Sequence, residues 1–187
     1  MEPTVDGGFI TWIDVTIHAK DESVEVGRVE TEIGHVRIAL VHAGEALNRA
    51  EPLGDILDAD SQEMCDIYDV FFDGVTPRSP YDNGNGMDLL YVADLELATD
   101  WQGRMIEEAV VQRLVETWGG GCAVAVMSVA DLVQAQRWEQ AGFTMMALAP
   151  RAHHCGYVAS DLSMKQPRVV EADEQGHRFR IAPIAED

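Results

Sequence analysis

Apolar and polar positions alternate over the first part of the chain with the period of β-strands. Residues 9–18 are rich in β-branched and aromatic side chains and predict a strand. Over residues 23–33, Val24, Val26, Val29 and Ile33 sit among Glu25, Arg28 and Glu32, which predicts a second. Gly34 and His35 read as a turn, and residues 36–41 as a third strand in a hairpin with the second. The period then becomes helical. Asp60 reads as an acidic cap with Glu63 three residues later, a capping-box pattern. Met64, Ile67, Tyr68 and Phe71 follow at helical spacing, and Gly74 and Pro77 close the segment. Residues 78–87 are turn-rich and predict a loop.

The second half is more regular. Residues 88–97 predict a strong strand, followed by a short loop. Ile106, Val110, Val111, Leu114 and Val115 then form the apolar stripe of an amphipathic helix, which three glycines, Gly119 to Gly121, end. Residues 122–129 are an apolar run suited to a buried strand. Leu132, Ala135, Trp138 and Ala141 predict a second helix, stopped by Gly142. Residues 143–148 and 156–164 predict two closing strands. A strand–helix–strand–helix core with further strands on either side is an α/β domain built on a mixed sheet. A strand-to-helix turn at its centre is a standard seat for a nucleotide-like ligand.

Composition narrows the functional classes. The chain has 187 residues, 47% of them hydrophobic, enough for one domain with a sizeable core. No apolar run reaches the ~18 residues of a membrane span, and the acidic start lacks the pattern of a secretory signal. Three scattered cysteines, Cys65, Cys122 and Cys155, give neither a disulfide framework nor a zinc pattern. A reducing cytoplasm is therefore expected. The formal charge is −20, and residues 1–100 carry 22 of the 33 acidic side chains but 5 of the 13 basic ones. Such a field repels phosphate backbones, which excludes nucleic acid as an expected partner and favours amines or basic partners.

Residues 89–143 resemble the GCN5-related N-acetyltransferase (GNAT) superfamily. The resemblance rests on the strand at 89–97 with its short loop and helix, and on the strand at 122–129. That second strand leads into a small-residue helix ending in an aromatic, a spacer and Gly142-Phe143. A tail strand from Tyr157 is similar to the family's last strand. The resemblance implies a GNAT-like acyl-CoA N-acyltransferase fold, a central twisted mixed sheet flanked by helices. Residues 1–164 would form that domain and residues 165–187 a partly ordered tail. It further implies an acetyltransferase that uses acetyl-CoA as co-substrate and acts on an amine of a small molecule or a basic protein or peptide. It is compatible with a homodimer.

In this family, backbone amides of the loop and the following helix N-terminus hold the cofactor's pyrophosphate, where orphan N–H groups and the helix dipole favour an anion. The matching residues here are Gln102, Gly103, Arg104, Met105, Ile106 and Glu107. Met105 stands where the family has Gly, and Glu107 where it has a small residue. Glu107 and Glu108 put negative charge near a diphosphate, with Arg104 as a partial offset. Leu95 and Leu97 are implied as backbone contacts to the cofactor, the Leu97 N–H facing the thioester oxygen. Asp131 stands where the family often has a cofactor-contacting Asn. Trp138 stands where many members have the Tyr that protonates the leaving thiolate. Those departures also motivate the alternative of a non-catalytic, binding or regulatory relative that has lost acetyl-CoA affinity.

Amide formation also needs a base for the ammonium. Asp94 and Glu96 share one face of the strand by their i, i+2 spacing and are the candidates, against a reading as solvated rim carboxylates. Tyr91 is a candidate for the acceptor site or for the core, and Tyr157 a candidate acid for the thiolate. Trp101 is expected to shield the loop, and Cys122 to fill the core. His153, His154 and Cys155 are adjacent without metal-ligand spacing, so no metal is expected.

Overall fold

Ile13, Val15 and Ile17 alternate with Asp14 and Thr16, and this alternation becomes β1 (Ile10–Lys20), the first strand of a computed structural model that describes residues 8–20, 30–82, 86–146 and 156–162. Its partner β2 (Glu30–Val41) is antiparallel and runs unbroken through Gly34 and His35. The expected turn there is therefore absent, and residues 30–33 and 36–41 belong to one strand rather than to two arms of a hairpin. Gly34 serves another purpose. A Cβ on it would lie 2.2 Å from the carbonyl oxygen of Glu96, so the glycine admits the neighbouring strand.

Three helices follow: α1 (Ala43–Arg49), α2 (Leu53–Asp60) and α3 (Gln62–Phe71). The cap of α3 is Ser61, whose hydroxyl accepts from the Met64 N–H at 3.2 Å. Asp60 is the last residue of α2 instead, so the cap falls one residue later than expected. A short hairpin, β3 (Phe72–Asp73) with β4 (Thr76–Pro77), turns at Gly74.

The core segment matches the expected order. β5 (Asp88–Leu97) leads through a 3-10 turn (Thr99–Trp101) into α4 (Ile106–Trp118). Then come β6 (Cys122–Val129), α5 (Leu132–Gln140), β7 (Thr144–Met145) and β8 (Gly156–Asp161). Strand order in the sheet is β1-β2-β5-β6-β8-β7, with β5 and β6 parallel and the other neighbours antiparallel. The mixed α/β sheet expected from the sequence is thus present. The expected tail at 165–187 lies outside the described residues.

Helices cover both faces. Ala46, Leu57, Met64, Ile67 and Phe71 of α1–α3 pack on Ala39, Leu89, Tyr91, Val124 and Val126. On the opposite face, Val111, Leu114, Ala135 and Trp138 of α4 and α5 pack on Ile38, Leu90, Val92, Ala125 and Met127. This burial is the main stabilising term, at ~25 cal/mol per Å² of apolar surface removed from water.

Candidate functional site

The strands β5 and β6 run together only from Asp88/Cys122 to Val92/Met127, whereas β5 itself continues to Leu97. A gap therefore opens in the middle of the sheet beyond Val92. Pairing with β2 passes from Ile38/Val92 to Arg37/Asp94, so Ala93 is a one-residue bulge in β5 at the point of divergence.

The bulge decides which way the strand's side chains face. Leu90 and Val92 pack on the α4–α5 face, and after the extra residue Leu95 and Leu97 return to that face. Asp94 and Glu96 consequently turn to the face that carries α3. Without the bulge the two carboxylates would point at α4.

Backbone directions follow from one hydrogen bond. The Ala98 N–H donates to the Ile33 carbonyl at 2.8 Å. In an antiparallel pair such bonding groups alternate, so Glu96 and Asp94 aim theirs at β2 and Leu97 and Leu95 aim theirs into the gap. The Leu97 carbonyl accepts from Gln102 Nε2 at 2.8 Å, which ties the loop to the strand end. The N–H and C=O of Leu95 and the N–H of Leu97 remain on the gap's edge.

The loop keeps two left-handed residues, Gly103 at φ 73° and Met105 at φ 59°. Met105 thus adopts the conformation that a glycine takes without strain, and its side chain is 49% exposed. It is also the residue preceding α4, and no side chain caps that helix. The first-turn amides of Ile106, Glu107 and Glu108 have no partner within the helix. Ile106 packs with Ile33 and Leu97, which fixes the helix start against the strand end. Arg104 lies over the Trp101 ring at 5.8 Å.

One of the two negative charges on this turn is compensated, by a residue the sequence reading missed. Arg137 of α5 donates to Glu107 at 2.8 Å and to Glu108 at 2.9 Å. The Glu108 bond holds the guanidinium's pKa above its ordinary value, burial opposes this, and Glu107 adds to it. Arg104, the expected offset, lies over Trp101 and keeps its charge beside the same turn. No spacing rule relates residues 107 and 137, so a sequence pattern could not have paired them.

Two other expected contacts have structural duties. Asp131 caps α5, accepting from the Gln134 N–H at 2.8 Å, while Gln134 Oε1 accepts from the Ala130 N–H at 2.7 Å. Trp138 is 3% exposed and meets Phe143 edge-on at 5.7 Å, so its ring fills the core and is not presented to a groove. Asp94 is exposed, and Glu96 is 74% exposed with its carboxylate 3.5 Å from His35 Nε2.

A buried polar group lies at the divergence point on the α3 face. Tyr91 is fully buried and donates its hydroxyl hydrogen bond to Glu63 of α3. Burial first, then the Glu63 bond, push its pKa up, while Ser128 acts the other way. Ser128 is the first residue of β6 past the last pair with β5, and it stands opposite Tyr157 of β8. Tyr157 is fully buried too, and burial, then Asp66 and Glu63, raise its pKa. Cys122 is buried, as expected of a core filler, and burial pushes its thiol up to about 12. His153, His154 and Cys155 lie outside the described residues. Among the described residues no group of His, Cys, Asp and Glu could hold a metal, and no helix is long and apolar enough to cross a membrane.

No protein-family model and no curated protein matches the chain. Among solved structures, it is similar to a KacTA–DNA complex at 11% identity, covering 84% of this chain and 71% of that one, with a TM-score of 0.46. It is similar to NAA60 of Arabidopsis thaliana in complex with acetyl-CoA at 20% identity, covering 79% and 76%, with a TM-score of 0.45. The same plant protein with a bisubstrate analogue gives 21% identity, 84% and 79% coverage, and a TM-score of 0.44. Likeness at this level carries nothing about activity, substrate or site residues. The order β5, loop, α4, β6, α5, set in a mixed sheet with helices on both faces, is the α/β arrangement that the sequence implied.

Proposed function

We propose that this chain is an N-acetyltransferase that moves the acetyl group of acetyl-CoA to an amine. The observation that carries the reading is the gap beyond Val92/Met127, which exposes the backbone edge at Leu95 and Leu97 beside an uncapped helix N-terminus. An extended, amide-bearing cofactor arm fits such an edge as an added strand would. Its diphosphate would meet the amides from Gln102 to Glu107, with Gly103, Arg104, Met105 and Ile106 shaping the turn. The Leu97 N–H would stabilise the oxygen that becomes negative when the amine attacks. Asp94 and Glu96 stand on the acceptor's side as an acidic rim that draws a cation, and either would take a proton through water. Asp131 and Trp138 would support α5 and not touch the cofactor. A reducing cytoplasm suits Cys65 and Cys122, which are both free thiols.

A second reading, a non-catalytic relative, is favoured by one feature: the side chain of Met105 at the point where a diphosphate must approach the backbone. Titration of acetyl-CoA by calorimetry and thermal shift decides between them. Saturation at ~100 times the dissociation constant adds about 2.7 kcal/mol of stability. No heat and no shift at millimolar acetyl-CoA would overturn the enzyme reading.

A further inference from the structure

The two edges of the sheet are unlike. β7 closes one side with two residues, too short to offer another chain a row of hydrogen bonds. β1 closes the other with eleven, and among the described residues no strand pairs with its outer side. The His42 N–H donates to the Phe9 carbonyl at 2.8 Å, and bonding groups alternate along an antiparallel pair. Thr11, Ile13 and Val15 therefore aim their backbone groups at β2, and Ile10, Trp12, Asp14 and Thr16 aim theirs outward. The usual devices that blunt an edge are scarce here. The strand holds no proline, and the bulge between β1 and β2 puts its extra residue, Ile33, on β2. In a chain of net charge −20, positions 10–19 carry one carboxylate, that of Asp14. Ile13, Val15 and Ile17 are only half-buried, at the margin of the apolar layer that α4 and α5 cover. On the opposite face Asp14, Thr16 and His18 stand exposed in a row.

We propose that β1 is a homodimer interface, at which the β1 strands of two copies pair antiparallel about a two-fold axis at Thr16. That register sets Thr16 against Thr16 of the second copy, and Asp14 against His18 of the second copy, twice by symmetry. Val15 then meets Ile17 across the junction, so the half-buried apolar row continues from one copy into the next. A register centred on Asp14 would oppose two carboxylates, and one centred on Val15 would leave Asp14 facing a threonine. The charge pattern of the strand is thus complementary to itself, which favours a second copy over an unrelated strand. An axis normal to the sheet keeps like faces together, so both copies carry Asp94 and Glu96 on one side of the joined sheet. β2 separates β1 from β5, so the pairing leaves the gap beyond Val92 uncovered. The proposal is independent of the acetyltransferase reading. Two strongly acidic copies repel at long range, so the dimer tightens as salt screens them.

The test is sedimentation equilibrium of the full chain at low and high salt. The native protein should sediment at twice the chain mass, with a dissociation constant that falls as salt rises. T16K and T16E should each raise that constant by about fivefold or more, since like charges then face each other on the axis. An equimolar mixture of the two should return to within about twofold of native, because lysine then faces glutamate. A merely structural effect of either substitution gives no such rescue. Thr16 is exposed, so the variants should keep native circular dichroism. T16P gives a second reading that does not depend on charge. It removes one outward N–H, spares the β2 ladder, and should be monomeric both alone and mixed with T16E. A native monomer at every salt concentration, an unweakened dimer in T16K or T16P, or a T16K and T16E mixture that stays monomeric would overturn the proposal.

Discussion

Arg137 of α5 and Glu108 of α4 are joined by two hydrogen bonds, although they lie 29 residues apart and Glu108 is only 8% exposed. With Glu107 as a third member, the guanidinium locks the start of α4 onto α5 and cancels one of the two negative charges at the mouth of the proposed diphosphate seat. Hydrogen bonds to charged groups contribute about 1.5–3 kcal/mol, and Arg137's 38% exposed side chain places this set at the low end. R137M should therefore cost about 2 kcal/mol in urea unfolding. It should also weaken acetyl-CoA binding by roughly tenfold or more, because two uncompensated carboxylates then face the phosphates. Adding E107Q and E108Q to R137M should restore most of the affinity. Unchanged affinity in R137M would show that the anion does not sit at this helix end.

Met105 tests the same seat through the backbone. A left-handed non-glycine residue costs ~1–2 kcal/mol, and glycine's larger unfolded-state entropy returns about half of that. M105G should thus raise stability by about 0.5–1 kcal/mol and tighten acetyl-CoA binding, since the side chain no longer stands over the turn. M105I, β-branched at positive φ, should destabilise by about 1 kcal/mol and bind worse. The pair is read by urea unfolding and calorimetry. A more stable M105I than M105G would mean that the turn is not left-handed in solution.

The core segment was legible because each of its elements carries its own period: Asp88–Leu97 and Cys122–Val129 as apolar strands, Ile106–Trp118 and Leu132–Gln140 as striped helices. What misled the reading was context. Gly34 resembles a turn residue in a local window, yet its missing Cβ is required by Glu96 on a strand far along the chain. The bulge at Ala93 leaves no mark in the sequence, so i, i+2 spacing grouped Asp94 with Glu96 without saying which face they take. The Glu63–Tyr91 contact and the pairing of Arg137 with Glu107 and Glu108 were missed for the same reason: the partners are brought together only by the sheet and its two helical layers. Asp131 and Trp138 were placed by analogy, and analogy does not reveal that a cap and a core position already engage them.

Trp138 separates a packing role from a cofactor role. Truncating a buried aromatic of this size costs about 3–5 kcal/mol, so W138A should unfold at much lower urea or express poorly. W138F keeps the edge-on contact with Phe143 and most of the volume, and should cost under about 2 kcal/mol. If the ring is core filling alone, W138F binds acetyl-CoA with native affinity and keeps native kcat for any acceptor turned over. A tenfold loss of kcat in a well-folded W138F would return the residue to the site.

Stability at high pH should be set by groups the core holds protonated. The Cys122 thiol has an ordinary value of 9.0 and is pushed up to about 12 by burial, with Asp88 adding to it. Below pH 9 both states keep the proton and the thiol does not affect the balance. Between 9 and 12 the unfolded chain gives up a proton that the folded one retains, so the folded state loses ground at each step, by about 1.4 kcal/mol per pH unit for this one group. Tyr91 and Tyr157, also raised, add in the same direction once the pH passes 10. Urea midpoints measured from pH 7 to 11 should therefore be flat to about 9 and then fall. C122A should show a shallower fall between 9 and 10, where Cys65, raised by its Asp58 hydrogen bond, acts in the same direction, and the native slope contribution from the tyrosines above 10. An identical slope in C122A and the parent between pH 9 and 10 would mean that the thiol ionises in the folded protein as it does in the unfolded chain.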